Sequence, residues 1–196
     1  MSHVDPFIAL STGGKFYPLG PDPEKVDIRD IAHSLSNQCR YAGHTSAFWS
    51  VAAHSVEVSR RYEEGPGRYF KHDKRVGYFS TTDALCALLH DASEAYLQDI
   101  VRPIKPLVHG YYQWEENVER AVAQKFGLPF PWSGTIKILD DEIVLDEVAC
   151  FFPPGSAAWK RYGITAREDH AVLAPLTPEQ GEAAFLARFR QLTEGR

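Results

Sequence analysis

The sequence predicts an all-α fold, and three observations carry that expectation. Apolar residues recur at three- and four-residue spacing in six successive segments. No segment sustains the period-2 alternation of a half-buried strand. Pro, Gly and capping residues fall between the periodic segments, where helices should start and stop.

At 196 residues the chain reads as a single domain over 1–196, long enough to bury a full core. The N-terminal stretch "STGGKFYPLGPDPEKVD" is Gly- and Pro-rich and predicts a hairpin-like segment around Lys15–Leu19, then an extended loop. Asp27 is placed to cap a first helix from Ile28, and Asp30 to favour its dipole; Ile28, Ile31, Ala32 and Leu35 form its apolar stripe. A second helix spans about Thr45 to Tyr62, with Phe48, Val51, Ala52, Ser55, Ser59 and Tyr62 inward. The connection Glu63–Thr82 is long enough for a lid or an oligomer contact.

"STTD" caps a third helix through Tyr96, and Pro103 and Pro106 break the chain after it. Helices over about Gly110–Phe126 and Ile136–Phe152 follow. Thr177-Pro178-Glu179-Gln180 is a capping box with Pro at the first helical position, and it opens a last amphipathic helix. The sum is a bundle of about six or seven helices.

Composition narrows the function classes. A formal net charge of -5 disfavours a nucleic-acid duplex as partner. Cys39, Cys86 and Cys150 make neither a disulfide framework nor a cysteine zinc site. With no signal peptide and no membrane-length apolar run, a cytoplasmic protein without membrane contact is expected.

One stretch departs from the ordinary. "ALLHDASEAYLQDIVRPIK", Ala87 to Lys105, sets His90, Asp91 and Glu94 within one helical turn, with no Lys or Arg in that helix to pair the acids. Such a group costs free energy unless a cation offsets it. His54 lies at the edge of the second helix's apolar stripe. Asp140 and Asp141 lie in a helix that is apolar nearly all round, and period alone does not choose between them. A histidine, a His-Asp pair and a distant Asp would give a divalent ion two nitrogen and two oxygen donors.

The order His54, His90-Asp91, Asp140 resembles the H…HD…D signature of the HD-superfamily metal-dependent phosphohydrolases. "AHSVEV" followed by "ALLHDASEAYLQDIVRPIK" is similar to the bacterial 5′-deoxynucleotidases (YfbR-like) and the phage dATP triphosphohydrolases (DatZ-like), over about Asp27 to Cys150. The resemblance implies an HD-domain bundle in which His54, His90, Asp91 and Asp140 hold one catalytic divalent metal. That metal would be Co, Mn, Zn or another transition metal, with Mg as an additional ion. Asp140 is preferred over Asp141 because "LDDEIVLDE" is similar to the family's "ADxxLLxxE" pattern.

By the same resemblance Glu94 would orient or deprotonate water, or protonate the leaving oxygen. Asp99 would sit near the sugar hydroxyls, and Lys105 and Arg40 would contact phosphate. Tyr41 stands where the family has the tryptophan of an "RW" pair, beside the substrate. The implied reaction is removal of phosphate from a deoxynucleoside 5′-monophosphate by attack of a metal-bound water, in a homo-oligomer. Rival readings are a dATP-type triphosphohydrolase and a non-catalytic nucleotide-binding HD module. From the residues alone Arg40 can cap the first helix, Lys105 can be surface, Asp99 a turn acid and Tyr41 a core aromatic. His33 and His44 read as structural, with lining of the pocket near Arg40 as the alternative for His44, and Glu115, Glu116 and Glu119 read as a solvated helix face.

Overall fold

The computed structural model describes residues 6–64 and 80–194. The possible lid or oligomer contact within Glu63–Thr82 falls mostly on residues 65–79, outside the described residues. A two-stranded antiparallel hairpin, β1 (Ile8–Ala9) and β2 (Lys15–Phe16), comes first, with Ile8 opposite Phe16 and Ala9 opposite Lys15. Eight helices follow among the described residues: α1 (Ile28–Asn37), α2 (Val51–Glu64), α3 (Thr81–Leu88), α4 (Glu94–Leu97), α5 (Tyr111–Phe126), α6 (Gly134–Phe151), α7 (Ala157–Tyr162) and α8 (Pro178–Thr193). The all-α expectation with a short N-terminal hairpin holds, but the hairpin spans Ile8 to Phe16, and only its second strand falls within the expected Lys15–Leu19.

The central helix α2 packs against α1, α3, α6 and α8. Val51, Ala52, Ser55, Ser59 and Tyr62 are buried as their spacing predicts. Gly181, in the first turn of α8, permits a close approach: a Cβ there would stand 3.2 Å from Ser50 Oγ. Asp27 caps α1 by accepting from the Arg29 N–H at 2.8 Å, and the Thr177–Gln180 capping box starts α8. Asp30 does more than complement the helix dipole. Its buried carboxylate accepts from Ser11 Oγ at 2.6 Å, the Thr12 N–H at 2.9 Å and Thr12 Oγ1 at 2.8 Å. This fastens the hairpin turn to α1, while Phe16 stacks on Tyr96 with centroids 3.8 Å apart.

Two boundaries and one added helix differ from the sequence-based expectation. Helix α2 begins at Val51, not Thr45. The Arg40 N–H donates to the Trp49 carbonyl and the Val51 N–H to the Gln38 carbonyl, so residues before Val51 are held extended. Phe48 consequently lies outside the helix and is partly exposed. The helix expected through Tyr96 instead stops at Leu88, and Leu89–Ser93 form tight turns before α4. There the backbone switches to i→i−3 bonds, from Ala92 to Leu89 and from Glu94 to Asp91. Helix α7 is an addition, and its six residues give periodicity too short a window. Ser156 caps it, and left-handed Gly163 ends it.

Replacing Asp30 by Ala should lower unfolding free energy by about 2–3 kcal/mol, because three donors lose a charged acceptor. Urea denaturation of Asp30→Ala checks this; an unchanged midpoint would show that the hairpin is not anchored through this residue.

Candidate metal centre

His54, in the first turn of α2, is fully buried. Its Nδ1 lies 2.8 Å from Glu147 Oε1 of α6. His90, in the turn that ends α3, places Nδ1 2.8 Å from the Ala87 carbonyl. A carbonyl or an ionised carboxylate only accepts, so each Nδ1 carries the ring proton. In the neutral rings both Nε2 lone pairs are therefore left free, and neither Nε2 has a hydrogen bond although both are buried.

Carboxylates stand where those nitrogens point. Asp140 Oδ1 is 3.2 Å from His54 Nε2. Asp91 Oδ2 is 3.2 Å from His90 Nε2 and 3.6 Å from His54 Nε2. Donor atoms of His54, His90 and Asp140 all lie within 4.8 Å of one another, and Asp91 touches both histidines from the edge of that group. Buried bare imidazole nitrogens with their outer nitrogens fixed are what a histidine-bound metal requires. The group can hold a metal ion. The choice between neighbouring aspartates is also settled geometrically: Asp140 faces the histidines, whereas Asp141 is half exposed and meets Lys137 and Arg102.

The tight turn at Leu89–Ser93 explains how adjacent residues serve one site. Leu85, Leu88, Leu89, Ala92 and Tyr96 bury the apolar face as expected. The polar residues face a cavity of about 950 Å³, not bulk solvent. Asp91, Glu94, Asp99, Lys105, Arg40 and Tyr41 all line it, as does Asp140.

Electrostatics reflect this crowding. Burial alone would lower the His90 pKa, but the charge and proximity of Asp91, with Asp140 behind it, raise it to about 9, so an ion that takes Nε2 displaces a proton held there. Asp91 and Asp140 are held below the usual carboxylate range because the imidazoles beside them outweigh their burial. Glu94 goes the other way. Burial, then the charges of Asp91 and Asp99, push its carboxyl well up, and one of its oxygens has no hydrogen-bond partner. Burial likewise raises Asp99, aided by Asp91.

Arg40 does not cap α1. Its Nε and Nη2 donate to Glu147 Oε2 at 3.3 and 3.2 Å, and Nη1 comes within 3.7 Å of Asp91. Tyr41 donates its hydroxyl to the same Glu147 oxygen and sets its ring edge-on to Phe152. Tyr41 and Ala42 occupy the left-handed region at φ 55° and 51°, strain held in the cavity wall. Lys105 is not plain surface: it pairs with Glu115 at 2.5 Å over the Tyr111 ring. His44 lines the cavity and His33 pairs with Glu182, 3.0 Å away.

Two further expectations need correction. Glu115 and Glu119 line the cavity and do not form a solvated face; only Glu116 is exposed, beside Arg120. The α5 wheel places them together, but the wall opposite, built from the Asp99–Lys105 segment, is not visible in that wheel. Sequence reasoning also gave no role to Glu147, Arg102 or Lys137. Arg102 and Lys137 reach Asp140 Oδ2 at 3.3 and 2.8 Å. The signal for Glu147 was present, as the closing Glu of "LDDEIVLDE" on the face of Asp140.

Fold and site define an all-α protein with a buried His-His-Asp group able to hold a metal ion. No family model matches the chain. It is 36% identical over 189 residues to "Uncharacterized protein YfdR" of Escherichia coli (strain K12), covering 96% of each chain. It is 33% identical over 134 residues to "Uncharacterized protein RCAP_rcc00048" of Rhodobacter capsulatus, covering 65% of this chain and 62% of that one. The chain belongs to the YfdR family.

Glu119 gives a pH-dependent prediction. Burial, then Glu115 and Asp91, raise its pKa from 4.5 to about 8. The folded state thus binds the extra proton, and stability falls as pH rises from about 4.5 through 8. Glu119→Gln should raise the urea midpoint at pH 8 and leave it nearly unchanged at pH 4. An equal shift at both pH values would show that the carboxyl titrates normally.

Proposed function

We propose that this chain is a cytoplasmic metal-dependent phosphohydrolase of the HD type, removing phosphate from a small deoxynucleotide. The observation that carries the reading is the pair of buried, unbonded Nε2 atoms facing Asp140 and Asp91 at the floor of a cavity lined with acid, base and cation side chains. His54, His90, Asp91 and Asp140 would hold the ion. When bound, the ion neutralises phosphoryl charge and lowers the pKa of water toward about 7.

The chain's own residues divide the remaining work. A water oxygen bonds to phosphorus while the bond from phosphorus to the 5′ oxygen breaks, and that oxygen needs a proton. Burial and the acids around it make the Glu94 carboxyl hold its proton more tightly than usual; it protonates the leaving oxygen, and the proton that the attacking water gives up returns to it. Arg40 and Lys105 stand where they can offset charge on the phosphoryl oxygens. Asp99 offers an acceptor to the sugar hydroxyls. The homo-oligomer comes with the resemblance to the HD enzymes. No helix among the described residues is long and apolar enough to cross a membrane.

A second reading has a specific observation behind it. Arg102 and Lys137 contact Asp140, and Arg161 lines the same cavity. Three cations beyond the first phosphate suit a triphosphate chain better than a monophosphate. The broken bond is the same in both, and the products are a nucleoside with either phosphate or triphosphate.

Deoxy- and ribonucleotide mono- and triphosphates, assayed with Co, Mn, Zn and Mg, test the proposal. Glu94→Gln should lower kcat by about 10²–10⁴ while Co2+ binding persists. Unchanged turnover would remove Glu94 from the chemistry, and no turnover of any nucleotide by wild type would favour the nucleotide-binding module. The pair Arg102→Ala with Lys137→Ala should raise KM for a triphosphate more than tenfold over any rise for a monophosphate. Equal effects on both would return the substrate to the monophosphate.

A further inference from the structure

The carboxylate of Glu147 is fully buried and accepts from four side chains at once. On Oε1 it takes His54 Nδ1 at 2.8 Å and Trp49 Nε1 at 2.7 Å. On Oε2 it takes the Arg40 guanidinium at 3.2 and 3.3 Å and the Tyr41 hydroxyl. One oxygen therefore serves the candidate metal ligand, and the other serves two residues of the cavity wall.

We infer that Glu147 is a positioning residue shared by the metal centre and the phosphate arm, an inference that rests on the phosphohydrolase reading for the phosphate half. Toward the metal, the carboxylate admits only the Nδ1–H form of His54 and so turns the Nε2 lone pair toward His90 and Asp140. Toward the phosphate, it holds Arg40 by two N–H groups, leaving Nη1 directed at the Asp91 side of the cavity. The Tyr41 hydroxyl fixes the left-handed turn that carries both residues. An amide cannot do the same. A Gln at this position carries no charge and turns an NH2 toward one pair of donors, so one half of the arrangement loses its acceptor and the other keeps only a weaker, neutral one.

The test reads binding as well as structure. Calorimetric titration of metal-free protein with Co2+ should show Glu147→Gln binding roughly 10–100-fold more weakly than wild type. At saturating Co2+, inorganic phosphate should bind about fivefold more weakly, the size of one lost hydrogen bond. Weakening of only one of the two, or of neither, overturns the shared role. Should Glu147→Gln fail to fold, nitrogen-15 NMR of wild-type histidines decides: an Nδ1–H tautomer at His54 supports the role, and an Nε2–H tautomer overturns it. Wild type that binds Co2+ but hydrolyses no nucleotide would sink the phosphohydrolase reading and leave the metal half of the Glu147 assignment standing.

Discussion

The structure depends on a commitment made by two imidazoles. Each donates its Nδ1–H to a fixed acceptor, Glu147 for His54 and the Ala87 carbonyl for His90, and so has only Nε2 left to present. Those two nitrogens meet in a buried space bounded by Asp91 and Asp140. Leaving such atoms without partners opposes folding, because a buried polar atom deprived of water costs about 1–3 kcal/mol. The arrangement makes physical sense when the same atoms serve as ligands, with the free energy of ion binding added to that of folding.

The rest of the fold can be read as support for that geometry. Helix α2 carries His54 through the middle of the bundle, gripped by α1, α3, α6 and α8. The turn after α3 brings His90 and Asp91 round to face it, which a continued helix would not do. Helix α6 supplies Asp140 and, two turns later, Glu147. The seven-residue separation keeps both on one face, so a single rigid element sets a metal ligand and the acceptor behind another ligand. Charges within this centre are mutually compensated: Glu147 against Arg40 and His54, Asp140 against Arg102 and Lys137. Buried ionic groups persist on those terms, where every charge has a partner in contact.

What the sequence disclosed followed from local rules. Caps at Asp27 and Thr177, the stripe of α2 and the buried face around Leu85–Tyr96 all came from periodicity and side chain-to-backbone hydrogen bonds, which act over a few residues. His90 and Asp91 stood out as chemically awkward residues in an apolar segment, whereas His54 and the choice of Asp140 over Asp141 rested on the resemblance to the family pattern. The turn at Leu89–Ser93 was hidden, since its residues are as helix-compatible as their neighbours and the break serves a contact with α2. Glu115 and Glu119 looked like a solvated face because the opposing wall comes from a Pro-rich segment with no period of its own. Glu147 went without a role for a different reason. Its partners Arg40, Tyr41 and Trp49 lie about a hundred residues upstream, and only tertiary structure brings them to one carboxylate.

The most direct measurement is a crystal of the protein grown with Co2+ or Zn2+ and recorded at the metal's absorption edge. An anomalous peak should lie at about 2.0–2.2 Å from His54 Nε2, His90 Nε2 and an Asp140 oxygen. A fully occupied ion elsewhere, with the two Nε2 atoms still facing each other unbridged, would contradict the account.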